Sequence, residues 1–337
     1  MENRAKNGAI VKLIVWSVVL VMLVSLTAGM LVGEAFEGFR FGVITFGGSY
    51  TYDDCESYNT GNIEYRDTDI EIIDLSWITG TVNVSVWEES YVKLEETGAG
   101  DRDEDQMRSR VENGIMTVKF MKSGVRAYTN TLSKVLTLRI PAEMAESLQN
   151  LNIDGASAKL IMDGTLGEEN RLCVRGVDVE TASGAVDIKC KRILNLDVDT
   201  ASGNVMLEGT FGVIDVDAAS ADVTVKGMVD SIDIDTASGR VEIDGDVEKA
   251  KIDAVSGAVT LNAHTVLPKS LELDAVSGNV EISLPDIEYG FVATMDSASG
   301  KMTCNGSKSD YYTYGKGQAE YEFSSVSGSV RITVRGK

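Results

Sequence analysis

Apolar residues in the second half of this chain fall at fixed distances from a recurring serine. The stretch DVDTASGNVMLEG at 197–209 returns as DIDTASGRVEIDG at 233–245 and as LDAVSGNVEI at 273–282. The serines are Ser157, Ser183, Ser202, Ser220, Ser238, Ser256, Ser277, Ser299 and Ser327, spaced by 18 from Ser202 to Ser256 and by 19 to 28 elsewhere. The next residue is always small: Ala158, Gly184, Gly203, Ala221, Gly239, Gly257, Gly278, Gly300 and Gly328. Four residues before each serine, and three and five after it, the positions are apolar, as with Val198, Val205 and Leu207 around Ser202. This is period-two alternation, the pattern of half-buried strands. Its parity slips by one residue at the Ser-Gly step. Glycine, lacking Cβ, permits a corner there.

Each phrase therefore predicts strand, corner, strand and a turn. Units of about 18 residues cannot bury an apolar face alone, but stacked at about 4.8 Å per rung they can. The expected fold is all-β, a parallel β-solenoid resembling a β-helix, with each rung paired to the next in sequence and one N-terminal transmembrane helix before it. The regular repeats occupy 151–337. A divergent β region, 61–150, precedes them, and within it IIDLSWITGTVNVSV (72–86) fits the same frame with Thr79-Gly80 in the Ser-Gly place. YVKLEE, IMTVKF and VLTLRIP read as strands, and GAGDRDEDQMRSR as a solvated loop or short helix. Pro141 and Pro285 should end strands, because proline cannot continue a ladder.

Leu13 to Val32 is a twenty-residue run without a charge, long enough at about 1.5 Å per residue to cross a bilayer's hydrocarbon core. Arg4, Lys6 and Lys12 precede it and Glu34 and Glu37 follow, which keeps 1–12 in the cytoplasm and sends the rest outside. The competing reading is a cleaved signal peptide with Thr27-Ala28-Gly29 at the cleavage site; the length of the apolar run favours an uncleaved anchor. Residues 33–60, rich in Phe and Tyr, form a juxtamembrane linker. The expected location is the cell membrane, single-pass, with the β region outside.

A net charge of −21 argues against nucleic acid, whose phosphates need cationic partners. Much of that charge is patterned. Three residues before the serines stand Asp154, Glu180, Asp199, Asp217, Asp235, Asp253, Asp274 and Asp296. Five before come Asp178, Asp197, Asp215 and Asp233, then Lys251 and Glu272. Stacking lines these acids up along an outer face. Two readings follow. Asp199, Asp217, Asp235 and Asp253 form a shallow site for a cation such as Ca²⁺, or the acids are a solvated surface that discourages edge-to-edge association. The glycine-aspartate pattern of calcium-loaded β-rolls is absent, and the solvated surface is preferred. No other cofactor is implied.

Nothing else in the sequence suggests chemistry. Four cysteines lack CxxC spacing, and the single histidine, His264, has no nucleophile near it in sequence. Cys173 and Cys190 lie 17 residues apart, close to the repeat length, and read either as a disulfide or as two small buried side chains. Identical acids on every rung do not single out the unlike pair that glycoside hydrolysis needs. No catalytic residue is assigned, and the chain is not expected to be an enzyme. The serines and glycines of the phrase are structural positions.

The phrases WITGTVNV, VLTLRIP and the series of TASG/AVSG steps followed by NV or AV resemble the bacterial putative-adhesin family, a domain-of-unknown-function family rich in β-strand repeats. The resemblance spans roughly 60–335 and implies a membrane-associated or exported bacterial protein with adhesion as its inferred role. It supplies no catalytic residues. The expected function is a surface binding module that meets a cell-wall polymer or other envelope proteins. The alternatives are an accessory sensor or scaffold of an envelope-stress system and, further off, a polysaccharide-acting β-helix enzyme.

Overall fold

The computed structural model describes residues 49–66, 69–126, 133–166, 169–170 and 172–336. The anchor expected at 13–32 lies outside them; among the described residues no helix is long and apolar enough to cross a membrane. Among the described residues strands dominate, with one short α-helix, Ala142–Ser147. Two compact units part between Thr210 and Phe211, within the strand Val205–Ser220.

In the first unit the strand Ile72–Trp87 runs parallel to Asn150–Asp163 over its whole length. Its register places Thr79 beside Ser157, Gly80 beside Ala158, and Leu75, Val82 and Val84 beside Ile153, Leu160 and Met162. The frame read from IIDLSWITGTVNVSV is the one the backbone adopts. Asn150–Asp163 pairs in turn with Cys173–Thr181 before the corner and Val186–Lys189 after it, and these pair with Arg192–Thr200 and the start of Val205–Ser220. The second unit repeats the scheme. Val223–Ser238 pairs with Val241–Ser256, which pairs with Val259–Asn262 and Ser270–Ser277. Inward residues of the two sheets are fully buried, Ile234, Val241, Ile252 and Leu261 among them. In the first unit the two sheets close on an interior gap of about 10 Å³ lined by Trp77, Ile153, Leu160 and Val186.

The corner sets the spacing. A Cβ on Gly257 would stand 1.8 Å from the Gly239 carbonyl oxygen, and one on Gly203 1.8 Å from that of Gly184. Neighbouring backbones approach too closely there for a side chain, which is the reason the column is glycine. At several corners the hydroxyl two before the serine accepts from the glycine N–H, Thr181 from Gly184 and Thr200 from Gly203 at 2.9 Å and Ser325 from Gly328 at 2.7 Å, whereas Thr236 donates to the Ser238 carbonyl at 3.3 Å. Ser157, Ser202, Ser256, Ser299 and Ser327 donate to the carbonyl of the adjacent rung, Ser256 to Ala237 at 3.3 Å and Ser299 to Val326 at 3.1 Å.

Rung order departs from sequence order at both ends, correcting the expectation of successive pairing. Ser270–Ser277 and Val280–Pro285 pair with Ala319–Ser325 and Val330–Arg335, the Ser327 rung, and not with the Ser299 rung. The Ser299 rung, Phe291–Ser297 and Met302–Cys304, lies beyond it. Its outer side is covered by antiparallel segments Tyr311–Tyr314 and Ser307–Lys308. At the other end, Ile115–Lys119 and Lys134–Pro141 add to the far side of Ile72–Trp87, and Arg108–Glu112 and Val92–Thr97 cover them antiparallel. Both prolines end their strands.

Two further stretches are tied into the fold. Residues 49–60 are not simply linker: Ser49–Tyr50 pairs with Val125–Arg126, the buried Tyr50 hydroxyl accepts from Phe120 N–H at 3.2 Å, and Tyr52 donates to the Met121 carbonyl. The charged segment around Asp103–Asp105 is a single 3₁₀ turn tied into the core. Next to it Lys134, fully buried, lies 2.9 Å from Glu96 and donates to the Asp105 carbonyl at 2.7 Å. Its ammonium also lies 4.1 Å from the Phe120 ring centroid and 4.9 Å from that of Trp77. Burial lowers the Lys134 pKa, and Glu96 opposes the fall. All four cysteines are free thiols, Cys173 and Cys190 included.

Gly257→Ala should destabilise the protein by about 2–3 kcal/mol through backbone overpacking, while Ser256→Ala, which removes one exposed hydrogen bond, should lose less than about 1 kcal/mol. Chemical denaturation of both variants reads the difference. Lys134→Met should lose about 3–5 kcal/mol, because it strands the buried Glu96 carboxylate; Lys134→Met with Glu96→Leu should recover much of that loss.

Candidate functional site

Outward positions of a parallel, in-register stack repeat at the rung spacing, so each sequence column becomes a line of like side chains. In the first unit the column three before the serine runs Lys119, Ser76, Asp154, Glu180, Asp199. Lys119 donates to Ser76 at 3.0 Å. Asp154 is raised by burial against the pull of Lys119, and Asp178 is raised by burial alone. Glu180 is the extreme case. Burial and the carboxylates of Asp154, Asp178, Asp199 and Asp197 push it up to about 7.

In the second unit Asp235, Asp253 and Asp274 stand in direct register, followed by Ser324 and then Asp296. Burial and Asp253 carry Asp235 up to about 7, with Lys251 opposing and Asp217 and Asp233 adding to the rise. Asp215, Asp217 and Asp274 shift the same way, burial first. Lys251 sits among them, 3.1 Å from Asp233 and 3.3 Å from Asp253. Burial works against its charge, but the hydrogen bond to Asp233 and the surrounding carboxylates outweigh that and raise its pKa.

The structure therefore brings Asp235 and Asp253 together on adjacent rungs, and sets Asp199 and Asp217 in separate units. Acids three and five before the serines, repeated from rung to rung, make parallel ladders rather than a convergent cluster. Among the described residues no group of three or more His, Cys, Asp or Glu side chains is placed to hold a metal ion. His264 contacts Asp244 at 2.8 Å, while its backbone N–H and those of Thr265 and Val266 are held by Asp246. Lys119 and Ser76 were missed as column members. Ser76 follows from the Thr79-Gly80 frame, whereas Lys119 belongs to a strand that joins the stack out of order, and only the register reveals it.

This is an all-β protein of parallel rungs whose outer faces carry lines of carboxylates around single lysines. The chain belongs to the Toastrack DUF4097 family, whose model matches residues 62–333. No curated protein matches it in sequence. Among solved structures it is similar to a "putative lipid binding protein" from Parabacteroides distasonis ATCC 8503, at 17% identity over 81% of this chain and 96% of that one, with a TM-score of 0.50. A "putative adhesin" from the same organism is 12% identical over 81% and 97%, TM-score 0.46. Another from Parabacteroides merdae ATCC 43184 is 12% identical over 81% and 96%, TM-score 0.43. The likeness to the first is one of fold.

A carboxyl whose pKa is higher folded than unfolded binds more protons in the native state, so its contribution to stability is complete below about pH 4 and is lost as pH rises through the folded value. For Glu180 and Asp235 that window runs up to about pH 7. The thermal midpoint should fall between about pH 5 and about pH 8. Glu180→Gln with Asp235→Asn should flatten that slope and raise the midpoint at the alkaline end.

Proposed function

We propose that this chain is a membrane-anchored, extracytoplasmic binding module of the cell surface, adhesin-like in role, and not a catalyst. The observation that carries this reading is the repetition of outward chemistry. The same side-chain types recur along a column from rung to rung, so each unit presents lines suited to an extended partner, as stacked-repeat faces do. Catalysis by paired carboxylates needs unlike environments converging on one bond. Here Asp235 and Asp253 differ in surroundings, with Lys251 3.3 Å from Asp253, but they stand side by side as two members of a continuous column.

The favoured partner is an envelope polymer. The names carried by other proteins of this fold are consistent with a surface role, and the gap between the strands of the first unit offers no room for a lipid. The gap between the sheets of the first unit, about 10 Å³, is far below the volume of an acyl chain. Anchoring rests on the uncharged run at 13–32 and its flanking charges.

The test is retention of the full chain, solubilised in mild detergent, on isolated cell walls before and after protease treatment. Retention on protease-treated walls, weakened by salt as expected for an acidic face, supports the reading. Binding only to untreated walls replaces the polymer with an envelope protein. Absence of retention on either sinks the surface-binding role.

A further inference from the structure

A groove of about 400 Å³ crosses the outer face of the second unit, within the range of about 300–1,000 Å³ typical of small-ligand sites. Its floor is two neighbouring outward columns spanning four rungs. One runs Ser231, Lys249, Ser270, Glu320; the other runs Asp233, Lys251, Glu272, Glu322. Charge changes sign along both, positive at Lys249 and Lys251, negative at Glu272, Glu320 and Glu322.

The same column shows two ways of arranging carboxylates. Lys251 lies 3.1 Å from Asp233 and 3.3 Å from Asp253, an ammonium held between acids of adjacent rungs. One rung further, Glu272 stands in register with Glu322. Like charges directly opposed across a ladder repel, and among the described residues neither glutamate has a lysine or arginine partner. Lys249 is exposed and makes no salt bridge among those residues.

We propose that this groove binds a zwitterionic unit of an envelope polymer, its primary ammonium held between Glu272 and Glu322 and its anionic group drawn to Lys249. The proposal deepens the surface-binding reading and rests on it. Lys249 stands one rung from Glu272 and two from Glu322, in the neighbouring column two residues along the strand, so at about 4.8 Å per rung and about 3.3 Å per residue the ligand's charges are about 8–12 Å apart. Its selectivity follows from the whole field. A bare anion is repelled by a chain of net charge −21, and a bare cation is drawn to every acidic column. Only a ligand with both charges uses both ends of this groove.

The probe is ε-aminocaproate, with n-hexylamine and hexanoate as its two half-charge controls, titrated into the full chain in detergent and followed by NMR. Saturable shifts confined to the groove, with the zwitterion binding more tightly than either control, are expected. Glu322→Gln and Lys249→Gln should each weaken binding about fivefold, the Coulomb term of one exposed pair at about 4 Å, with unchanged thermal midpoints. Absence of saturable shifts overturns the proposal. So does n-hexylamine binding as tightly as the zwitterion with Lys249→Gln silent, which reduces the groove to generic cation attraction. Wall retention that survives both substitutions removes the groove from the polymer contact and leaves the surface-binding reading standing. Zwitterion binding without wall retention does the reverse.

Discussion

The rest of the structure depends on one close contact. At each corner the carbonyl oxygen of one rung occupies the place where a Cβ on the next would stand, as Gly239 does for Gly257 and Gly257 does for Gly278. That approach admits glycine, and alanine only at Ala158 and Ala221. It fixes the register of both strands leaving the corner, because a one-residue slip would put side chains into the contact and turn each aliphatic face outward. Register then dictates everything exposed. The serines line up and bond to neighbouring carbonyls, and residues three and five before them become continuous columns.

How much of this was legible follows from what periodicity records. Each rung carries its own frame, so the corner, the inward aliphatics and the outward acids could be read from any single phrase, down to Thr79-Gly80 in the least regular one. Neighbour order is not written in the phrase. The Ser299 and Ser327 rungs carry the same signals, and nothing local says that the later one lies closer to Ser277. The wide interval between them was the available clue, since it holds YYTY, which is too aromatic for a repeat. In the structure Phe291 stacks on both Tyr321 and Tyr314, with centroids 4.7 and 5.5 Å apart. Lys134 was illegible for a different reason: a lysine in an alternating strand reads as solvated, and only the folded cap supplies Glu96 and two aromatic rings around it.

The out-of-order rungs have a physical consequence. A stack of parallel strands ends in unpaired backbone groups at both edges, which invite another chain. Here the first unit closes on antiparallel Val92–Thr97 and Arg108–Glu112, and the second on antiparallel Tyr311–Tyr314 and Ser307–Lys308. In the second unit a late rung inserted inside the stack lets an earlier one carry the cap. In each unit the antiparallel caps are short strands laid against the parallel ones.

Lines of like charge running along such a stack look self-defeating, and magnitudes decide why they persist. Unit charges 4.8 Å apart repel by about 0.9 kcal/mol in water, and salt screens part of that. Each rung meanwhile buries about five aliphatic side chains, each contributing about 1.5–3 kcal/mol as an upper estimate. Apolar burial exceeds the repulsion several-fold, so the core sets the register and the acids follow. Burial first, and the remaining repulsion after it, leave Glu180 and Asp235 holding protons near neutrality, and the same acids raise the Lys251 pKa. A face whose own charges are imperfectly compensated, fixed at rung spacing by a contact too tight to slip, has electrostatic free energy to gain from an outside cation. That residual imbalance links a fold built by steric exclusion at glycine to the surface-binding role proposed for it.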